Sequence, residues 1–179
     1  MRNILALLAI GLTAGATTVL VEQQPNLSGT WVATKNTPPS IEAAPGAVFG
    51  DRFALRQEGK NMALVRPVRG RATALTNVLP LDGTETTVLD PGRPCRGQSA
   101  QLISMAWESD VLKYSITGTL APGATTVRRP TAPVVYRFRS VSADTIVVEA
   151  SMRDAVTGQP KPVGTVYQLA LIHISEPTR

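Results

Sequence analysis

Histidine and cysteine are almost missing from this chain of 179 residues, which holds one of each. The single cysteine, Cys95, excludes a disulfide-rich scaffold, and the two counts together exclude a zinc site built from several cysteines and histidines. The one histidine, His173, lies near the C-terminus, so residues 17–170 contain none. That stretch therefore lacks histidine-dependent nucleophilic and acid–base catalysis, and we predict neither a metal site nor a cofactor.

Aromatic and charged residues are also few, at 4% and 17% of the chain. Hydrophobic residues reach 43%, which excludes wholesale disorder, and the length suits one domain that buries most of its apolar surface. The formal net charge is +5. Because aromatic residues are sparse and no glycine-interleaved lysine pattern is present, we predict no nucleic-acid partner.

Residues 1–16 have the three parts of a secretory signal: Arg2, an apolar run over 4–12, and Ala14-Gly15-Ala16 as a cleavage site. They predict export to the periplasm or the medium, with residues 17–25 as a linker. The alternative is an uncleaved anchor, because apolar and threonine residues continue to Val21. That stretch is marginal for a span of about 20 residues, so we expect no stable membrane span after cleavage.

The last residues, 171–179, read LIHISEPTR and resemble the translation of sequencing-adapter DNA. On this interpretation the natural chain is cut at about Ala170 and its C-terminus is missing. The alternative is a genuine short polar tail after a strand. We give this tail no functional role.

Between these ends, short runs rich in valine, isoleucine, threonine and aromatic residues follow one another, separated by turn residues. They predict a single all-β domain over residues 26–170, an antiparallel up-and-down meander that forms a lipocalin-like barrel. A two-sheet β-sandwich is the alternative, since both folds have half-buried strands. The predicted strands are 29–34, 52–57, 61–66, 72–79, 84–89, 101–107, 111–117, 133–140, 145–151 and 165–170.

Alternation within these runs predicts which side chains face inward. Leu112, Tyr114 and Ile116 share one face of their strand, and Tyr136 and Phe138 share one face of another. Residues 35–50, 90–98 and 121–132 are predicted as long loops. Such loops serve as lids or binding loops in some small β domains and are uninformative insertions in others.

The motif Asn26-Leu27-Ser28-Gly29-Thr30-Trp31 contains a G-x-W at the start of the first strand, which resembles the opening of lipocalin-type barrels. In that family the tryptophan closes the barrel floor and an arginine near the C-terminus packs over it. With L-D-G-T-E at 81–85 and A-W-E-x-D-x-L at 106–112, the chain also resembles small secreted bacterial proteins of unknown function. The resemblance covers residues 26–170 and implies a fold and a compartment, but no activity.

The chain departs from true lipocalins because it lacks the T-D-Y loop motif and a disulfide pair. The arginine partner of Trp31 is not assigned. Nor does the sequence settle the oligomeric state, although an unfinished barrel would expose a strand edge that invites pairing.

Four aromatic residues are the candidate ligand-binding side chains: Trp31 as the anchor of the floor, and Trp107, Tyr114 and Tyr136 as pocket walls. Ligand pockets are mostly apolar with a few polar groups, but the alternative for each residue is plain core packing. We predict non-catalytic binding of a small apolar or amphipathic molecule, or of an envelope component. The expected partner is therefore a small lipophilic ligand.

Two other classes of function stay open. One is a structural or interaction domain with a filled core. The other is a hydrolase that uses two carboxylates, for which the candidates are Glu85, Asp90, Glu108 and Asp110. No spacing selects a pair among them.

Two basic segments have both a functional and a structural interpretation. Residues 66–71 read R-P-V-R-G-R and could contact an anion, although a solvated strand end is the simpler interpretation. Cys95 lies between Arg93 and Arg96, which would favour a reactive thiolate. A partner beyond the visible C-terminus or an inert buried thiol are the alternatives for this cysteine.

Overall fold

The computed structural model describes residues 24–34, 42–43, 47–67, 74–90, 99–153 and 159–170. The signal segment 1–16, most of the linker, Cys95 with its flanking arginines, residues 68–71 and the tail 171–179 lie outside the described residues. No helix in the described part of the chain is long and apolar enough to cross a membrane.

The described residues form ten antiparallel strands in one sheet, with the order β4-β3-β2-β1-β10-β9-β8-β7-β6-β5. The prediction of an up-and-down barrel is confirmed, and the sandwich alternative is wrong. The strands are β1 (Gly29–Ala33), β2 (Arg52–Glu58), β3 (Asn61–Arg66), β4 (Leu75–Pro80), β5 (Thr86–Asp90), β6 (Ser99–Glu108), β7 (Val111–Leu120), β8 (Val134–Ser142), β9 (Thr145–Arg153) and β10 (Pro160–Leu169).

The sheet closes because the last strand returns to the first. β10 pairs with β1, with Trp31 opposite Leu169, so the two edges of the sheet are β4 and β5 in the middle of the chain. The connection between β4 and β5, residues 81–85, contacts β6. There the Gly83 amide donates to the carbonyl of Met105 at 3.0 Å. The result is a nearly closed barrel with a seam between β4 and β5.

Short and long connections are sorted to opposite ends of the barrel. The end with the short turns at 59–60, 81–85, 109–110 and 143–144 is called the closed end. The other end, called the open end, is where the connections 34–51, 67–74, 91–98, 121–133 and 154–159 join the strands. All three loops that the sequence predicts as long therefore start and finish at the open end.

Alternation places one face of every strand inside the barrel, as predicted. The largest fully buried side chains are aromatic: Trp31, Phe53, Tyr114, Phe138 and Tyr167. Leucine, isoleucine, valine and methionine side chains fill the space around them in one continuous core. Burial of this apolar surface is the main stabilising contribution to the fold.

β10 begins at Pro160, whereas the sequence predicts a strand from residue 165. Prolines at 160 and 162 weaken the strand pattern because proline cannot donate a backbone hydrogen bond. In the structure both prolines pair with β9, but β1 covers β10 only from Tyr167 to Leu169. The missing donors therefore fall where the β1 side of β10 has no full ladder.

The glycine of the G-x-W motif is favoured by its backbone conformation and, to a smaller extent, by a neighbouring side chain. Gly29 has a φ of +149°, and a Cβ atom there would overlap Cδ1 of Leu169 on β10. We expect Gly29→Ala to lower the free energy of unfolding by about 1–3 kcal/mol, measured by urea denaturation. Gly123→Ala is the control, because Gly123 has a φ of +73° with open space around it. Equal losses in the two variants would contradict a role for the contact with β10.

Candidate ligand-binding site at the open end of the barrel

A cavity of about 880 Å³ lies at the open end of the barrel. Its lining comes from the turn before β2, the start of β2, the end of β3, and residues of β6, β7 and β8. The volume lies within the range of small-molecule sites. The wall combines the rings of Phe49, Tyr114 and Tyr136 with the charged side chains of Arg66 and Asp51.

Phe49 separates this cavity from the packed core. Its ring makes edge-to-face contacts, with centroid distances of 5.2 Å to Phe53, 5.3 Å to Tyr114, 5.0 Å to Tyr136 and 4.9 Å to Phe138. Edge-to-face pairs are favourable because the positive edge of one ring meets the negative face of another. A side chain from a connection, rather than from a strand, thus forms the cavity floor.

The turn that carries Phe49 is held by β10. The Tyr167 hydroxyl accepts a hydrogen bond from the Phe49 amide at 3.1 Å and donates to the Gly50 carbonyl at 3.0 Å. The Val48 amide donates to Oγ1 of Thr165 at 3.1 Å. These bonds satisfy backbone groups of the turn and fix the direction in which the Phe49 ring enters the barrel.

Burial raises the pKa of the Tyr167 hydroxyl to about 12, with the hydrogen bond from the Phe49 amide opposing the shift. Because this pKa is above the ordinary value of 10.0, the unfolded chain loses the proton first as the pH rises. The contribution to stability is complete below pH 10, and it is lost as the pH rises from about 10 to about 12.

We therefore expect Tyr167→Phe to lower the free energy of unfolding by about 1–3 kcal/mol at pH 7, because two backbone groups lose their partner. The variant should also lose the part of the fall in stability between pH 10 and pH 12 that Tyr167 contributes, measured by urea denaturation across that range. Tyr136→Phe is the control, since no hydrogen bond to the turn is removed. An unchanged alkaline profile in Tyr167→Phe would contradict this assignment.

The simpler interpretation of residues 66–71 was a solvated strand end. The side chain of Arg66, however, lies on the inward face of β3. Its Nε and Nη2 atoms are shielded from solvent and have no hydrogen-bond partner among the described residues. The Cζ atom lies 5.7 Å from the centroid of the Phe49 ring. Burial raises the pKa of the nearby Tyr136 hydroxyl, and the positive charge of Arg66 acts against this shift.

The structure brings two of the four predicted site residues together. Tyr114 and Tyr136 both line the cavity, with ring centroids 5.9 Å apart. Trp31 and Trp107 are not part of this lining. The Trp31 indole N–H donates to the Leu27 carbonyl at 2.9 Å, toward the closed end, and Trp107 is half-buried against the core near the turn at 109–110.

Sequence reasoning missed Phe49 because it lies within a predicted loop, where no alternation marks an inward side. The available signal was an aromatic residue followed by glycine in a loop otherwise rich in proline and alanine. Arg66 was considered only as part of a basic run. Its position as the last inward residue of β3, after Met62 and Leu64, was the signal that its side chain faces the barrel interior.

Of the candidate carboxylates, Glu85, Glu108 and Asp110 are not part of this lining, and the side chain of Asp90 lies outside the described residues. Glu85 forms a bidentate ion pair with Arg129, which lowers the pKa of Glu85 to about 2, and Glu108 pairs with Lys113 at 2.6 Å. Both pairs are on the outer surface. Among the described residues of the cavity lining, Asp51 is the one carboxylate. No group of three or more potential metal ligands occurs within the described part of the chain.

Comparison of the chain with protein-family models, with curated proteins and with solved structures finds no match.

Proposed function

We propose that this protein is an exported barrel that binds one small apolar or amphipathic molecule in the cavity at its open end, without transforming it. The observation that carries the proposal is the cavity of about 880 Å³, whose lining includes the rings of Phe49, Tyr114 and Tyr136. Aromatic and aliphatic walls favour apolar ligands because ligand and wall both leave water.

The polar groups of the cavity lining would fix the orientation of a bound ligand. Arg66 and Asp51 stand beside the aromatic floor, so a ligand with one polar end would be held in a defined direction. The turn over 47–50 is fixed to β10 by three hydrogen bonds. A floor that is ordered before binding reduces the entropy lost when the ligand enters.

A structural or interaction domain is the second candidate, and the interior below Phe49 favours it. There Phe53, Phe138, Met62 and Met105 are all buried and leave a packed core instead of a deep calyx. The two candidates differ in what happens at the open end. Only the binding protein should take up a ligand there.

The test is a fluorescence titration of the purified protein with N-phenylnaphthylamine, a neutral dye whose emission rises in apolar surroundings. We expect saturable binding by the unmodified protein, and weaker binding by Ile116→Trp, whose larger side chain takes up part of the cavity. Val141→Trp adds the same side chain on the outside, since Val141 is 63% exposed. This control should bind like the unmodified protein.

No saturable binding by the unmodified protein would overturn the proposal, as would equal binding by Ile116→Trp. The fold of each variant is checked by circular dichroism before titration. Binding that is unchanged in Val141→Trp and weakened in a folded Ile116→Trp would place the dye in this cavity.

A further inference from the structure

We infer that the open end of the barrel is a docking face for an anionic lipid membrane. The inference goes beyond the proposed function, because it concerns the outer surface around the cavity mouth and not the cavity itself. It is carried by the way in which the fold places residues of opposite charge at opposite ends of one barrel.

The first step concerns the closed end, where most charged side chains are acidic. The short turns and the strand residues beside them carry five exposed carboxylates, those of Glu58, Asp82, Glu108, Asp110 and Asp144. The basic side chains among the described residues of this end are Lys60 and Lys113, and Lys113 pairs with Glu108 at 2.6 Å. The closed end therefore repels an anionic surface.

The second step concerns the open end, where the charge is reversed. Arg52 begins β2, and Arg128 lies opposite Thr119 near the end of β7. Both arginines are exposed, and no ion pair between described residues includes either of them. Of the described carboxylates at this end, Glu42 pairs with Lys161 at 2.7 Å, which leaves Asp51 against the two arginines.

The connections at the open end add positive charge. Residues 67–74 and 91–98 contain four arginines and no acidic residue. Most of these residues lie outside the described part of the chain, but each connection starts and finishes at the open end. Eight residues between neighbouring strands extend at most about 16 Å from the strand ends, so these charges cannot reach the turns of the closed end. Four further charged residues at the open end cancel, namely Lys35 and Arg153 against Asp90 and Asp154.

The third step concerns why the partner is a membrane and not a soluble polyanion. Leu89 and Val134 are 49% and 43% exposed, and each lies within two residues of a strand end at the open end. Pro67, in the cavity lining, is exposed as well. A hydrophilic polyanion would leave these apolar side chains in water, whereas the interfacial region of an anionic bilayer takes up both apolar and basic groups.

Docking by this end would point the cavity mouth at the bilayer. An apolar ligand would then pass between the membrane and the barrel without crossing water. That consequence rests on the proposed function, whereas the docking face does not.

The experiment measures binding of the full chain to lipid vesicles by flotation. One vesicle type is phosphatidylcholine alone, and the other contains about 30% phosphatidylglycerol, which is anionic. At about 0.05 M salt we expect binding to be about thirtyfold or more tighter with phosphatidylglycerol, and at about 0.5 M salt most of this preference should be lost because the charges are screened. The apolar residues 4–12 act alike on both vesicle types, so the ratio of the two dissociation constants reports charge.

Paired arginine variants locate the charge on the barrel. Arg52→Gln/Arg128→Gln removes two cations from the open end, and we expect the preference for phosphatidylglycerol to fall about tenfold. Arg56→Gln/Arg137→Gln makes the same change in net charge on the outer wall, where both arginines are exposed on β2 and β8. This control should lower the preference less than about threefold, because its arginines are farther from the bilayer.

Paired apolar variants test the lipid contact. Leu89→Ser/Val134→Ser should weaken binding to phosphatidylglycerol vesicles about fivefold, because less apolar surface leaves water. Val78→Ser/Val141→Ser is the control, since these side chains are 53% and 63% exposed but lie away from the open end. Circular dichroism checks the fold of each variant.

Equal binding of both vesicle types by the unmodified protein would overturn the inference. So would equal losses in the two arginine pairs, or equal losses in the two apolar pairs. Binding to dextran sulfate without binding to phosphatidylglycerol vesicles would overturn it in favour of a soluble polyanion. The proposed function is tested separately by the dye, whose binding does not depend on vesicles.

Discussion

Replacement of Trp31 by alanine is expected to lower the free energy of unfolding by about 3–5 kcal/mol. Trp31 is 2% exposed and belongs to the central hydrophobic core. The substitution would leave a cavity that the surrounding strands cannot fill. It would also remove the donor that the indole provides to the Leu27 carbonyl at 2.9 Å.

Urea denaturation followed by circular dichroism measures this loss. Trp107→Ala is the matched control, because Trp107 is only half-buried and its Nε1 makes no hydrogen bond to a described residue. The smaller burial predicts a smaller loss for the control. A Trp31→Ala protein as stable as Trp107→Ala would show that the G-x-W tryptophan does not hold the barrel together.

Replacement of Phe49 by alanine is expected to lower the free energy of unfolding by about 3–5 kcal/mol and Tm by roughly 10 °C. The ring is 8% exposed and contacts four other aromatic rings. Its removal would join the cavity at the open end to a new apolar space above Phe53 and Phe138. Benzene should bind in that space and recover part of the lost Tm, because apolar cavities take up small aromatic molecules.

Scanning calorimetry with and without benzene checks both parts of this expectation. Phe49→Leu is the control, since leucine keeps most of the apolar volume and should show a smaller loss and less recovery. If Phe49→Ala is as stable as the unmodified protein, the ring does not form the floor of the cavity. Equal recovery by benzene in both variants would place the added molecule at another site.

The strands could be predicted from the sequence because apolar inward residues and polar outward residues alternate with a period of two in a half-buried strand. Alternation places Tyr114 and Tyr136 on inward faces; both were proposed as pocket walls because they are aromatic, and both are in the cavity lining. Trp31 and Trp107 follow the same rule for the inward face but lie outside this lining. Alternation specifies the face of a strand, whereas position along the barrel axis depends on the register between strands.

The site itself could be predicted only in part. Phe49 lies in a connection without period, and its entry into the barrel depends on Tyr167, more than a hundred residues later in the chain. Arg66 is the last residue of β3. At the end of a strand, the sequence pattern does not distinguish a solvated side chain from one that faces a cavity. The contact between Phe49 and Arg66 joins two segments that no local pattern relates.

The sequence by itself determined that this protein is built of short antiparallel strands with an apolar inner face, since side-chain alternation and turn residues are local properties. The same sequence also implied an absence of histidine-based chemistry over residues 17–170. Only the tertiary structure decided that β10 closes on β1, that the long connections gather at one end, and that Phe49 and Arg66 meet in a cavity there. The physical reason is that closure and convergence depend on pairings between residues far apart in the chain, and no local pattern records those pairings.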